Sequence, residues 1–131
     1  MNLQLDELYL NKDVYVGASE IHRWGVFTRE AISAYDVIQE SPYCTFSEEE
    51  IEYAPTIEKY IYAENPTTEV DEIVLGFGFA ALFNHSFDPN VAYILDPVNE
   101  VMRHYAIRDI EAGEELCIHY GLEDEDAFEA T

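Results

Sequence analysis

The sequence predicts a mainly β protein with one or two short helices. Short runs rich in β-branched and aromatic residues recur along the chain, separated by Gly, Pro, Asn or Asp, while helix signals are few. With 131 residues, of which 48% are hydrophobic, the chain has the size and composition of one domain with a substantial core. We therefore expect residues 1–131 to form a single domain, with its motifs in 14–121 and an acidic tail in 122–131.

The first half of the chain contains three predicted strands. The leucine spacing in 1–10 fits either a short helix or an edge strand, and both alternatives remain open. The predicted strands cover 14–17, 21–28 and 37–40. Ser41-Pro42 is expected to end the third strand, because proline has no N–H to donate to a sheet. Ser47, followed three residues later by Glu50, has the form of a helix capping box, and a second short helix is predicted at 56–63.

The second half begins with an apolar run at 73–83, which fits a strand or a short helix. Residues 91–95 and 101–106 are rich in β-branched and aromatic side chains, and a polar loop at 96–100 joins them. This pattern predicts a β-hairpin. The last predicted strand covers 115–119.

A dense polar segment, Asn84-His85-Ser86-Phe87-Asp88-Pro89-Asn90, directly follows the apolar run. If its amides, imidazole and hydroxyl are buried, each must form hydrogen bonds or face a ligand. Pro89 restricts the backbone, and an Asp-Pro-Asn sequence favours a turn. The segment predicts a rigid bend that displays fixed donors and acceptors, with an ordinary capped turn as the alternative.

The charge balance restricts the classes of partner. Six basic and 28 acidic residues give a net charge of −22. Such a field repels nucleic-acid phosphate and attracts a basic protein or peptide, so no direct nucleic-acid partner is expected. Solubility, or adaptation to a salty environment, would also explain the charge. No apolar run is long enough to cross a bilayer, and no signal-peptide pattern is present, so an intracellular protein without a membrane partner is expected.

Cysteine usage argues against a disulfide framework and a zinc site. The chain has two cysteines, Cys44 and Cys117, which are too few for either. Both lie among apolar residues, so we expect buried free thiols. No metal is predicted.

Three separate blocks of this sequence resemble the motifs of SET-domain protein lysine methyltransferases. Asn84-His85-Ser86-x-x-Pro89-Asn90 is similar to the signature of that family. Residues 19–28 resemble its first motif, which usually reads Gly-x-Gly, and residues 106–121 resemble its closing motif. The resemblance implies a β-clip fold of small curled sheets, with a pseudoknot in which the closing segment threads beneath a loop and brings the three motifs together.

The resemblance also implies an activity, the transfer of a methyl group from S-adenosylmethionine to a lysine side chain of a basic protein, such as a histone or a ribosomal protein. S-adenosylhomocysteine is then the product. The implied cofactor-binding residues are Arg23, Trp24, Asn84, His85 and Tyr120. Tyr120, which matches the closing tyrosine of the family, is also the implied catalytic residue.

A substrate channel is expected beside these residues. Lysine must be neutral to attack, although its unperturbed pKa is about 10.4, and a narrow apolar channel disfavours the ammonium form. The candidate channel residues are Tyr43, Tyr93, Ile118 and Phe128. Tyr93 falls where some relatives carry an aromatic residue that limits the number of methyl groups added, and a plain core role is its alternative. Phe128 either closes the channel or belongs to a frayed tail.

Three positions depart from the family pattern. Arg23 replaces the first glycine, Ser41 replaces a common tyrosine, and His119 replaces a common aspartate. Arg23, in the altered first motif, and His119 favour a second hypothesis, a catalytically weak SET-fold module that binds basic proteins. A third hypothesis discards the resemblance and makes the chain an acidic decoy that occupies nucleic-acid-binding surfaces of its partners. The oligomeric state is undetermined, with a homodimer as one option.

Overall fold

The computed structural model describes residues 7–53, 61–62 and 73–119. Within these ranges the chain forms nine strands, one α-helix and one 3-10 helix. In chain order they are β1 (Val14–Ala18), β2 (Trp24–Thr28), β3 (Val37–Phe46), α1 (Glu48–Glu52), β4 (Ile61–Tyr62), β5 (Ile73–Gly76), the 3-10 helix (Gly78–Ala81), β6 (Asn84–His85), β7 (Val91–Asp96), β8 (Val101–Ala106) and β9 (Glu115–Ile118).

The strands form two sheets, which confirms the mainly β prediction. One sheet has four strands in the order β1-β2-β9-β6, and the other has five in the order β4-β5-β3-β8-β7. In the first sheet β9 is antiparallel to β2 and parallel to β6, where Asn84 is aligned with Cys117. The last described strand therefore lies between the region of the first motif and the polar bend.

Alternation along the strands places the hydrophobic core. In β8, Met102, His104 and Ala106 are buried, whereas Arg103 and Tyr105 are half-exposed. This period of two is the expected signature of a strand with one face on the core. The buried cluster draws on both sheets and consists of Val14, Val26, Ile32, Ile38, Tyr43, Val74, Ala80, Phe83, Val91, Leu95, Met102, Ala106, Ile110, Leu116 and Ile118.

Two local predictions are confirmed. Strands β7 and β8 form the expected hairpin, with Tyr93 aligned with His104. The capping box also forms: the backbone N–H of Glu50 donates to the Ser47 hydroxyl at 3.3 Å, and the Ser47 N–H donates to the Glu50 carboxylate at 3.2 Å. In both cases the interacting residues are close in sequence, so local patterns were sufficient to predict them.

The prediction that Ser41-Pro42 ends the third strand is wrong, because β3 continues to Phe46. Pro42 is tolerated since it lies where β3 changes partners. Pairing with β8 ends at Pro42 and Val101, and pairing with β5 begins at Tyr43 and Gly76. The missing N–H of proline falls at this junction and interrupts neither ladder.

The second short helix, predicted at 56–63, is contradicted at Ile61–Tyr62. These two residues form β4, which pairs antiparallel with β5 through Leu75 and Val74. Pairing with a strand distant in sequence overrides the local helix preference. Residues 54–60 and 63 lie outside the described residues.

The N-terminal segment, for which a helix and an edge strand were both open, lies along β3 at its described end. Leu10 forms an isolated antiparallel bridge with Gln39, and the N–H of Asn11 donates to the carbonyl of Ile38 at 2.9 Å. Its first six residues lie outside the described residues. In the part of the chain that is described, none of the helices has the length and apolar character required to cross a membrane.

Candidate functional site

The first motif forms a closed loop before β2. The backbone N–H of Ser19 donates to the carbonyl of Arg23 at 3.1 Å, and the Ser19 hydroxyl accepts from the N–H of Ile21 at 3.0 Å. Short-range bonds of this kind compete with strand formation. The strand predicted from residue 21 therefore begins only at Trp24, and residues 19–23 form a loop with Arg23 and Trp24 exposed at its end.

The polar bend at residues 84–90 is fastened to β9. The side-chain oxygen of Asn90 accepts from the N–H of Cys117 at 2.8 Å, and its nitrogen donates to the carbonyl of Glu115 at 2.9 Å. The N–H of Ser86 donates to the carbonyl of Ile118 at 2.9 Å. Asn90 is buried, with 3% exposure. Both ends of its side-chain amide are hydrogen-bonded, as expected for a buried polar group, and these bonds fix the bend against β9.

Asn84, the first residue of the bend, has its side-chain nitrogen directed towards the first motif. This Nδ2 atom lies 2.8 Å from Oε2 of Glu115, 3.0 Å from the carbonyl oxygen of Trp24 and 3.1 Å from the hydroxyl of Ser19. An amide nitrogen has two hydrogens, so these acceptors occupy it fully. Among the described residues, none bonds to the carbonyl oxygen of the Asn84 side chain, which leaves that oxygen to accept from a ligand.

The Glu115 carboxylate joins the three motifs. One oxygen accepts from the Ser19 hydroxyl at 2.7 Å, and the other accepts from Asn84. The close approach of Glu115 explains Gly25, because a Cβ atom there would overlap the carboxylate and lie 3.0 Å from Nδ2 of Asn84. First motif, bend and closing motif therefore meet at one half-buried anionic group.

Three aromatic rings surround the end of β9. The ring centroid of His85 lies 4.3 Å from that of Phe87 and 4.9 Å from that of His119, with edge-to-face geometry in both pairs. Burial, and secondarily the nearby His119, lower the pKa of His85 from its usual value. The imidazole of His85 is therefore neutral at physiological pH.

The two predicted residues at the C-terminal end, Tyr120 and Phe128, lie outside the described residues. The neighbouring His119 is described, and its ring lies 4.9 Å from that of His85.

The remaining channel candidates all pack on the hydrophobic core. Tyr43 and Ile118 are buried, and Tyr93 is half-buried against the same cluster. Burial raises the pKa of the Tyr93 phenol. Tyr93 lies beside His104, with ring centroids 5.9 Å apart. These three residues contact the same hydrophobic core, although they belong to three different strands, β3, β7 and β9.

A buried polar group lies next to Tyr93. Nε2 of Gln39 donates to the Ser41 hydroxyl at 3.1 Å and lies 2.7 Å from Nδ1 of His104. Burial lowers the pKa of His104 to about 3, so this imidazole is neutral. The hydroxyl of Ser41 is thus engaged in the protein interior.

Ser19, Glu115 and Asn90 received no role from sequence reasoning, although all three belong to the recognised blocks. Their roles depend on contacts between residues that are distant in sequence. Ser19 and Glu115 are 96 positions apart, and Asn90 lies 25 positions from Glu115, whose carbonyl it contacts. A serine followed by a turn and a glutamate on a strand are common local patterns. Their motif positions were the only available signal.

The described residues show no competing metal centre. Within them, no group of three His, Cys, Asp or Glu side chains is arranged to hold a metal ion. An open depression of about 400 Å³ is lined by seven residues between Tyr9 and Glu40, and none of them is a predicted site residue. The bend, the first loop and β9 remain the place where the described cofactor-binding candidates lie near one another: Arg23, Trp24, Asn84 and His85.

Comparison with known proteins gives consistent relatives. The family model of the SET domain matches residues 23–121. The histone-lysine N-methyltransferase of Schizosaccharomyces pombe specific for H3 lysine 37 is 36% identical over 100 residues, which cover 74% of this chain and 65% of that protein. The H3 lysine-4-specific histone-lysine N-methyltransferase of Saccharomyces cerevisiae is 31% identical over 123 residues, 87% of this chain and 11% of that protein. The chain thus spans just under two thirds of the first relative and a small part of the second.

A solved structure supports the same assignment. The crystal structure of a candidate histone methyltransferase from Plasmodium falciparum aligns with a TM-score of 0.67 and 30% identity over 86% of this chain and 96% of the other. This similarity confirms the expected architecture of small curled sheets. Since the family model also covers most of the sequence, the chain belongs to the SET domain family.

Proposed function

We propose that this chain transfers a methyl group from S-adenosylmethionine to the side-chain amine of a lysine in a basic protein. The convergence of the first loop, the polar bend and β9 at Glu115 and Asn84 carries the proposal. These are the three segments whose motifs match the family. Relatives named as histone-lysine N-methyltransferases support this activity.

The described residues fit the cofactor. The side-chain oxygen of Asn84, to which no described residue bonds, can accept from an ammonium or amino group. The exposed indole of Trp24 offers an apolar surface for an adenine ring. Arg23 and His85 complete the proposed binding set.

Tyr120 is the proposed catalytic residue, with its hydroxyl near the methyl group that is transferred. When bound, the cofactor supplies an electrophilic methyl group. The neutral lysine nitrogen, formed once the ammonium has released its proton to solvent, would accept this methyl group, and S-adenosylhomocysteine would leave. The proposed channel residues favour the neutral amine by desolvating it. They are Tyr43, Tyr93, Ile118 and Phe128.

The charge of the chain supports a basic substrate. With 28 acidic and 6 basic residues, the surface attracts lysine-rich proteins and increases their encounter rate at low salt. Histones and basic ribosomal proteins have this chemistry. The specificities of the two yeast relatives, H3 lysine 37 and H3 lysine 4, differ from each other, so they supply a class of substrate rather than a site.

A SET-fold module that binds basic proteins with little catalysis is the second candidate. The specific observation in its favour is that Ser41 is buried and bonded to Gln39. The family resemblance implies a tyrosine at this position. A channel without that tyrosine aligns the lysine less tightly. Cofactor binding would persist in such a module, whereas methyl transfer would be weak.

A thermal melt tests cofactor binding. A ligand that binds only the folded state stabilises it, so we expect the melting temperature to rise with S-adenosylmethionine. At a ligand concentration of 100 times the dissociation constant, the free energy of unfolding should increase by about 2.7 kcal/mol. Adenosine at the same concentrations is the control. A melting temperature insensitive to S-adenosylmethionine would favour the acidic-decoy hypothesis.

A radiolabelled methyl-transfer assay on histones and basic ribosomal proteins tests catalysis. We expect label on lysine, located by mass spectrometry, and a reduction of at least about a hundredfold with Tyr120→Phe, the scale of a positioned polar group in catalysis. Tyr53→Phe is the matched control, since Tyr53 is 89% exposed. Cofactor binding without labelling of any substrate would select the binding module instead.

A further inference from the structure

We propose that Glu115 is a positioning residue for cofactor binding, which acts by holding Asn84 and the loop at residues 19–24 in place. The inference rests on the proposed function and adds a residue to its site. Glu115 itself is assigned no contact with the cofactor. Its contribution is the geometry of groups that make such contacts.

The carboxylate has two anchors on different segments. Oε1 accepts from the hydroxyl of Ser19 at 2.7 Å, and Oε2 accepts from Nδ2 of Asn84 at 2.8 Å. The Ser19 hydroxyl in turn accepts from the N–H of Ile21 at 3.0 Å, so the chain of bonds continues into the loop. Hydrogen bonds to an ionised acceptor are stronger than those between neutral groups. One side chain on β9 thus orients both neighbours.

Glu115 affects the cofactor through the orientation of the Asn84 side-chain amide. An amide can present either its nitrogen or its oxygen, and the two ends have opposite hydrogen-bonding character. Glu115, together with the carbonyl of Trp24, accepts from the nitrogen and thereby directs it into the protein. The oxygen is then available to a donor on the cofactor. Without Glu115, the amide can rotate and the loop loses its connection to β9.

The absence of a side chain at Gly25 lets the Glu115 carboxylate lie close to the backbone of β2. A Cβ atom on Gly25 would overlap the Glu115 carboxylate. The backbone of β2 therefore leaves room for the carboxylate directly beneath the loop. This proximity distinguishes Glu115 from its neighbour Glu114, which faces Arg108 at 3.4 Å on the surface.

The experiment compares Glu115→Ala, Glu115→Gln and the matched control Glu114→Ala. Calorimetric titration measures the dissociation constants of S-adenosylmethionine and S-adenosylhomocysteine for each variant. The fluorescence of Trp24, the chain's single tryptophan, reports the loop without ligand. Melting temperatures of the ligand-free proteins separate a change in folding from a change in binding.

For a positioning role we expect Glu115→Ala to raise both dissociation constants about tenfold and by equal factors, the scale of one lost charge-assisted hydrogen bond. Glu115→Gln keeps an acceptor for Asn84 and a partner for Ser19, so it should stay within about threefold of the wild type. Trp24 emission should shift in Glu115→Ala only. Glu114→Ala should bind both ligands as the wild type does.

Two outcomes would overturn the proposal. Wild-type affinity in Glu115→Ala would show that the carboxylate positions nothing. A loss confined to S-adenosylmethionine, and equal in Glu115→Gln and Glu115→Ala, would show that the negative charge acts directly on the sulfonium. If Glu115→Ala does not fold, Ser19→Ala removes one anchor, and unchanged affinity for both ligands would then refute the role. Failure of the wild type to bind either ligand would instead refute the proposed function.

Discussion

At the scale of single residues, burial determines the chemistry of the ionisable side chains behind the site. His104 is fully buried between Phe83 and Tyr93, with ring centroids 4.5 Å and 5.9 Å away. Cys117 is buried on β9 and follows Glu115 by two residues. In both cases the low polarity of the interior stabilises the neutral form. Sequence alone identified the two cysteines as free thiols, and only Cys117 proves to be buried, since Cys44 is half-exposed.

His104 should make stability depend on pH. Its pKa is about 3 in the folded protein, against an ordinary value of 6.5. Below pH 6.5 the unfolded chain gains a proton that the folded chain does not, so stability falls as the pH drops from 6.5 towards 3, by up to about 1.4 kcal/mol per pH unit. Urea unfolding at pH 7, 5.5 and 4.5 measures this slope. His104→Gln, which does not titrate, should show a shallower slope, and equal slopes would contradict the prediction.

The two thiols should differ in reactivity. Burial, with a secondary contribution from Glu115, raises the pKa of Cys117 to about 12, so its reactive thiolate is scarce. We expect iodoacetamide at pH 8 to alkylate Cys44 well before Cys117, as followed by peptide mass spectrometry. In urea both should react at similar rates. Equal labelling of the folded protein would show that β9 opens readily.

At the scale of elements, β9 organises the site because it lies between β2 and β6. Glu115 on this strand accepts hydrogen bonds from the side chains of Asn90 and Asn84. Directly after the strand, the ring of His119 packs against that of His85. The parallel pairing with β6 joins segments that are more than 30 residues apart. A short strand in this central position can therefore control the geometry of two motifs at once.

Gly25→Ala should damage the site more than the fold. The added methyl displaces the flexible end of the Glu115 side chain, which breaks its hydrogen bonds to Asn84 and Ser19. The hydrogen bonds between β1 and β2 can persist. We expect a dissociation constant for S-adenosylmethionine about tenfold higher, measured by calorimetry, with a small change in melting temperature. Gly17→Ala is the matched control, because Gly17 is aligned with Gly25 and its added methyl contacts the rings of Tyr15 and Phe27 instead. Equal affinities in the two variants would contradict this account.

At the scale of the whole molecule, like-charge repulsion is the main electrostatic feature. The net charge is −22, and the ion pairs among the described residues are Arg103 with Glu40 at 2.7 Å and Arg108 with Glu114 at 3.4 Å. Two pairs offset little of such an excess. Repulsion of this kind destabilises the compact state and is screened by salt.

The melting temperature should therefore rise with ionic strength. The screening length shortens from about 30 Å at 0.01 M to about 3 Å at 1 M, so most of the gain should appear within this range. Differential scanning calorimetry in increasing sodium chloride measures it, with choline chloride as a control for specific cation binding. A melting temperature that falls with both salts would show that attractive pairs outweigh the repulsion.

The mainly β class, the β7–β8 hairpin, the capping box at Ser47 and the family could all be predicted from the order of the amino acids. These features depend on local patterns or on motif positions, and both can be read along the chain. Other features depend on contacts between residues that are distant in sequence. Strand β3 passes through Pro42 because it changes partners there, and Ile61–Tyr62 becomes a strand because β5 pairs with it. The contact of Ser19 and Asn84 with Glu115 exists only once β9 is inserted between β2 and β6, since no local preference encodes a contact across 96 residues.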